Sequence, residues 1–223
     1  MFFPPFLLLF LFGFVFLLFV VFAMVQFGLF AWAFARLGIP PEYLFSFLFL
    51  CIVGSMINVP IRKIHLETDP EEWEIVRFYG LRFRPPPWSG RREMVLAVNL
   101  GGAILPALLS IYLLSHAANP IRTLIALAIV TYVVYRMARP IRGVGIATPM
   151  FIPPVVAALT AMLINPQWAA PTAYVAGTLG TLIGADILHL GELKHLDAPV
   201  ASIGGAGTFD GIFLTGILAV LLA

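Results

Sequence analysis

The 223-residue chain is 61% apolar and only 11% charged, whereas an ordinary soluble domain carries about 25% charge and 45–50% apolar residues, which excludes a water-soluble globule. Twenty Phe and a mean hydropathy of +1.01 exceed what one core of this length hides, so lipid is the expected solvent for much of the surface. A net charge of +2 with scattered basic residues excludes a nucleic-acid footprint, and the single Cys51 excludes a disulfide framework.

A membrane-crossing helix takes about 20 mostly apolar residues. Seven runs meet that length, roughly at 5–34, 43–61, 94–115, 119–136, 147–164, 170–190 and 200–223. The predicted fold class is therefore all-α, a polytopic bundle of about seven transmembrane helices forming one domain over 1–223. The first run is too long for a signal-peptide core and no basic residue precedes it, so it reads as a retained anchor. The connections after the second, fourth and sixth runs hold 11 of the 13 Lys and Arg residues, leaving only Arg36 and Arg122 on the other side. The positive-inside rule then sets the N-terminus and the loop 62–92 in the cytoplasm, which makes the chain a multi-pass protein of the cell inner (plasma) membrane.

The loop 62–92 mixes Glu67, Asp69, Glu71, Glu72 and Glu74 with seven basic residues and turns through Pro85-Pro86-Pro87-Trp88, a stiff extended stretch. Glu71 to Phe83 reads as a short amphipathic element, an interfacial lid in the simplest case. Pro106 in the third run, and Pro149, Pro153 and Pro154 in the fifth, are expected to kink or unwind their helices.

Charge inside the runs is scarce, and Asp186 and Asp210 are the only acidic residues there. Starting the last helix after Asp210 leaves 13 residues, too few to cross, so the seventh run is expected to begin near Pro199 and to carry Asp210 within it. A carboxylate in the bilayer costs about 2.5–3.5 kcal/mol on insertion scales and is a functional candidate by default. The two aspartates lie twelve residues either side of Ala198, in the expected turn, which gives them equal depth, roughly 8 Å below the cytoplasmic boundary at the rise of an α-helix. Two such carboxyls share a proton, one acting as base and the other as acid, and that arrangement activates water against an amide bond. Two other roles stay open. Each Asp can pair with a polar neighbour such as Asn58, Asn99 or Thr181, as in a structural or assembly protein, or it can bind a proton or cation in a coupled transporter or channel.

Gly204, Gly207 and Gly211 form a stripe beside Asp210 that lets another backbone approach. Gly177, Gly180 and Gly184 fall nearly opposite Asp186 and must serve another neighbour. Asp186, His189, Glu192 and His195 recur every three residues, but one ideal helix cannot aim all four at one ion. No metal and no cofactor is expected, and His189 reads as a hydrogen-bond partner that tunes Asp186.

The segments APTAYVAGTLGTLIGADILHL and APVASIGGAGTFDGIFLTGILAVLLA resemble a family of bacterial and archaeal multi-pass membrane proteins of unknown function, over most of the region after Arg136. A more distant likeness is to the GxGD aspartyl proteases of membranes, the presenilin and prepilin-peptidase type. Asp186 and Asp210 match their two aspartates on adjacent spans around a cytoplasmic loop, and Gly207 and Asp210 match the ends of GxGD. Pro106-Ala107-Leu108 matches the presenilin PAL tripeptide. Phe209 replaces the second Gly, Ala185 stands where a Tyr precedes the first aspartate, and PAL comes before the aspartates rather than after. The likeness implies Asp186 and Asp210 as catalytic residues, with Gly207, Gly211, His189, Pro106, Ala107 and Leu108 around them. Its expected partners are the lipid bilayer and a single-span helix or leader-peptide substrate; oligomeric state is left open.

Overall fold

A computed structural model describes residues 5–40, 42–66, 76–78, 81–83, 93–141, 145–195, 198, 200–205 and 211–223. Among these are seven α-helices: α1 (Pro5–Arg36), α2 (Glu42–Ser55), α3 (Leu105–Ser115), α4 (Pro120–Met137), α5 (Ile152–Ile164), α6 (Ala169–Thr181) and α7 (Gly211–Leu222). Each falls in one of the seven apolar runs. Two, over Val15–Arg36 of α1 and Pro120–Met137 of α4, are long and apolar enough to cross a membrane.

The chain is not all-α. Strands β1 (Asn58–His65), β4 (Glu93–Asn99) and β7 (Val200–Ile203) form a sheet in the order β1-β4-β7. Two hairpins accompany it, β2 (Val76–Phe78) with β3 (Leu81–Phe83), and β5 (Arg139–Ile141) with β6 (Gly145–Ala147). Three apolar runs are thus each divided between a strand and a helix. The seventh does not begin as a helix near Pro199: Val200–Ile203 is a strand and α7 starts at Gly211. The β-branched residues of Val200–Ile203 pair with Val95–Val98 of β4 in parallel, a pairing that a helix would forfeit. Between Pro60 and Arg62 the antiparallel register of β1 and β4 shifts by a residue, where proline has no N–H for the ladder. The amphipathic element expected over 71–83 is, in its described part, the β2–β3 hairpin.

Of the prolines expected to kink or unwind helices, Pro153 sits in the first turn of α5, where the missing N–H has no helical partner to lose, and Pro149 precedes that helix. Pro106 lies within a continuous helix from Leu100 to Ser115, directly after its π-turn Leu100–Ile104, and Pro120 opens α4. Helix α4 is capped by Asn119, whose Oδ1 accepts from the Arg122 N–H at 3.3 Å, and it buries Thr123, Ala126, Val130 and Val134, one face at helical spacing.

At the centre lies α6, buried without a break from Ala170 to Thr178 and packed against α3, α4, α5 and α7. Small residues allow the close packing. Gly180 and Gly184 lie against Val130, Thr131 and Val134 of α4, while Gly177 meets Ala157 of α5 and Ala219 of α7. These glycines serve neighbours other than the Asp186 site, as expected from their helical positions. The outer faces carry large apolar side chains, among them Phe16, Phe19 and Phe22 of α1, Phe45 of α2 and Leu163 of α5, all more than half exposed.

Candidate functional site

Helix α6 does not end at Thr181 but widens into a π-turn over Leu182–Ile187, closed by the Leu188 N–H donating to the Ile183 carbonyl at 2.9 Å. This departure decides which side chains meet. In an ideal α-helix, residues five apart point about 140° from one another, which would set Thr181 and Asp186 on different faces. A π-turn bonds residues five apart through the backbone and stacks them, and such turns are frequent at functional sites. Both residues accordingly line one cavity.

That cavity has a volume of about 170 Å³. Its walls come from the π-turn, from strand β7, from the β6 hairpin through Ile146 and Thr148, and from Gly211 and Ile212 at the start of α7. Asp186 is half-buried, and its Oδ2 accepts from the Gly204 N–H at 2.8 Å, a charge-assisted bond that fixes the carboxylate's direction. Gly204 makes the bond possible with φ +83, a conformation suited to glycine. Thr181 is 3% exposed, and its hydroxyl, like those of Tyr174 and Thr178, has no hydrogen-bond partner among the described residues.

Strand β7 reaches this position through a polar clamp. Ser202 Oγ donates to Asn58 Oδ1 at 2.6 Å, and the Asn99 side-chain amide donates to the same oxygen at 3.0 Å. Asn99 also donates to the Ser55 carbonyl and accepts from the Gly102 N–H, each at 2.7 Å. One buried Asn thereby caps the π-turn Leu100–Ile104 that leads into α3 and ties β1 and β4 to the end of α2. On its other side β7 pairs with no strand among the described residues, and Val200 to Ile203 all line the cavity.

Of the residues singled out from sequence, Asp186 and Gly211 line the cavity. Asp210 and Gly207 lie outside the described residues, although Gly205 and Gly211, which flank that segment, both border the cavity. Gly204 belongs to the turn after β7, so the predicted helical glycine stripe does not form as drawn. His189 does not face the cavity: its Nδ1 bonds the Gly184 carbonyl at 3.0 Å and its ring lies 4.8 Å from Tyr135. Ala107 is partly buried against the cluster formed by Ala103, Leu182 and Ile212. Leu108 itself is 56% exposed. Among the described residues no group of three His, Cys, Asp or Glu is placed to hold a metal. Sequence reasoning named Thr181, Asn58 and Asn99 only as alternative partners of the aspartates. Asn58 and Asn99 are spent on each other and on Ser202, and Thr181 shares the Asp186 cavity.

A mostly helical chain with a small sheet, whose parts line a cavity that holds Asp186, is the class that this geometry defines. The chain belongs to the family described as Protein of unknown function (DUF1614), whose model matches residues 52–222. No curated protein and no solved structure matches it.

Proposed function

We propose that this chain is a multi-pass protein of the inner membrane, its N-terminus and loop 62–92 cytoplasmic, whose cavity at Asp186 is the active site of an intramembrane aspartyl peptidase. Asp210 is the second carboxyl, and the substrates are single-span helices or leader peptides. One observation carries this reading: Asp186 and β7, one edge of which pairs with no strand among the described residues, line the same cavity, which both neighbours of the 206–210 segment also border. A strand edge offers N–H and C=O groups to an extended peptide, and a carboxylate beside it reaches the amide bond so held. The bilayer setting is supported by the two span-length helices and by the large apolar side chains on the outer faces of the bundle. One aspartate accepts a proton from water as the water attacks the scissile carbonyl, and the protonated one supplies the amine.

The test is cleavage by purified protein, in micelles and in lipid, of a panel of single-span helices and leader peptides. Wild type is expected to cleave with a bell-shaped pH profile, because a shared proton titrates in two steps; activity falls at low pH as the base is protonated and at high pH as the acid is lost. Asp186→Asn and Asp210→Asn each abolish cleavage and leave the protein folded. No product from folded wild type between about pH 4 and 8 overturns the reading. The place of Asp186 in the π-turn that ends α6 favours a second one, a proton- or cation-coupled transporter, since carboxylates inside membrane bundles mark ion and proton pathways. Ion flux into liposomes that is lost in Asp186→Asn, without peptide cleavage, would establish it.

A further inference from the structure

We propose that an open groove at the far end of α6 from Asp186 holds the phosphate of an anionic membrane glycerophospholipid, with Arg36 as its cationic partner. The proposal goes beyond the peptidase reading and needs only that the chain lies in a bilayer. The groove has a volume of about 550 Å³, within the range of about 300–1,000 Å³ usual for small-molecule sites. It lies among four helix ends: Ala35 and Arg36 close α1, Met162 belongs to the last turn of α5, Ala169 opens α6 and Ala223 follows α7. The rise along α6 from Ala169 to Asp186 is about 25 Å, so the groove is separate from the Asp186 cavity. In a chain that crosses the bilayer alternately, the ends of the first, fifth and seventh helices and the start of the sixth share one membrane surface. In the topology proposed above it is the outer one.

Arg36 is one of the two basic residues that the positive-inside rule leaves on that side, and two contacts orient it. Its Nη1 donates to the Val220 carbonyl in the last turn of α7 at 3.2 Å, where a helix leaves its carbonyls without helical partners. Its guanidinium carbon lies 5.0 Å from the centre of the Trp32 ring, one turn back on α1. Together they spend one N–H of the guanidinium fork, and Arg36 has no ion pair among the described residues. It is also the one charged side chain among those that line the groove. A guanidinium with N–H groups to spare matches a phosphate bidentately. Trp168, the residue before α6, also lines the groove and makes no side-chain cap, so the positive end of that helix dipole adds to the field there. The other walls include the apolar Leu37, Met162 and Pro171. An open groove with apolar walls at a bilayer boundary suits a phosphate that carries acyl chains better than a free anion, and Trp is at home at that level.

The test uses the full chain, stripped of native lipid in micelles, with dioctanoyl phosphatidylglycerol as the probe and the dissociation constant read from the rise in melting temperature on titration. The lipid should stabilise wild type, whereas dioctanoylglycerol, which lacks the phosphate, and inorganic phosphate, which lacks the chains, should not. Gln167→Glu is the decisive variant, because Gln167 is exposed and lines the groove; the change adds a negative charge and leaves the bond from Arg36 to Val220 in place. It should melt like wild type without lipid and bind the lipid about tenfold more weakly or worse, the cost of losing a charge-assisted hydrogen bond. Arg36→Gln should weaken binding as much, and Arg36→Lys, which keeps the charge, should bind more tightly than Arg36→Gln. An equal shift from dioctanoylglycerol would assign the effect to acyl chains, and an equal shift from inorganic phosphate would assign it to a free anion; either overturns the proposal. So does an unchanged dissociation constant in Gln167→Glu, which would leave Arg36 as a cap for α7 and nothing more. No arm of the test reads cleavage, so the peptidase reading stands or falls separately.

Discussion

The Gly204 amide donates to the Asp186 carboxylate at 2.8 Å, which ties the end of β7 to the π-turn after α6. A side chain at Gly204 opposes this twice: φ is +83, and an added Cβ would lie 2.5 Å from that of Ala103. Gly204→Ala should lose about 1–3 kcal/mol to backbone strain, read as a lower melting temperature in micelles. A melt indistinguishable from wild type would refute the strain at Gly204.

Asn99 is 1% exposed and makes three hydrogen bonds. Asn99→Ala leaves the Ser55 carbonyl, the Asn58 side chain and the Gly102 N–H without this partner, at about 1–3 kcal/mol for each buried group unsatisfied. Asn99→Asp retains the acceptor for Gly102 but not the two donations. Urea or thermal unfolding should therefore order the three proteins as wild type above Asp above Ala.

Where α2 crosses the π-turn before α3, a Cβ on Gly101 would collide with the Cys51 carbonyl and the Ser55 amide, whereas a Cβ on Gly28 of α1 meets nothing within 4 Å. Gly101→Ala is expected to abolish or severely reduce folded yield. Gly28→Ala should be neutral or stabilising by about 0.5–1 kcal/mol, the gain from replacing glycine inside a helix. Folded yield by size-exclusion chromatography compares the pair, and equal yields would contradict the close approach.

The seven helices were legible because each buries or exposes a long apolar run, and length alone finds such runs. Strands inside those runs were not. Val200–Ile203 is too short for periodicity to tell a strand from a buried helix, and counting to span length absorbed it into the seventh run. The pair Gly204-Gly205, both at positive φ, is the turn signal that separates strand from helix. That Thr181 shares a cavity with Asp186 was hidden for a different reason: at 100° per residue the two point apart in an ideal helix, whereas the helix widens into a π-turn between them. Asn99 followed by Gly102 carried a cap signal, masked by the apolar residues on either side.

The distribution of Lys and Arg predicts which side the loops occupy. In a chain with Cys51 replaced, single cysteines at Lys63 and at Glu192 should react with a membrane-impermeant maleimide only after the cells are opened. Labelling of either position in intact cells would reverse the topology.

Strand β7 completes the sheet about a hundred residues after β4 has been made. On the ribosome, β4 and β1 can pair early, yet the wall of the cavity and the amide that orients Asp186 arrive only with the last few dozen residues. A nascent or truncated chain therefore makes most of its helices while the carboxylate is still unaligned. For the peptidase proposed above, competence would be withheld until synthesis is nearly finished, a safeguard built into the order of the strands.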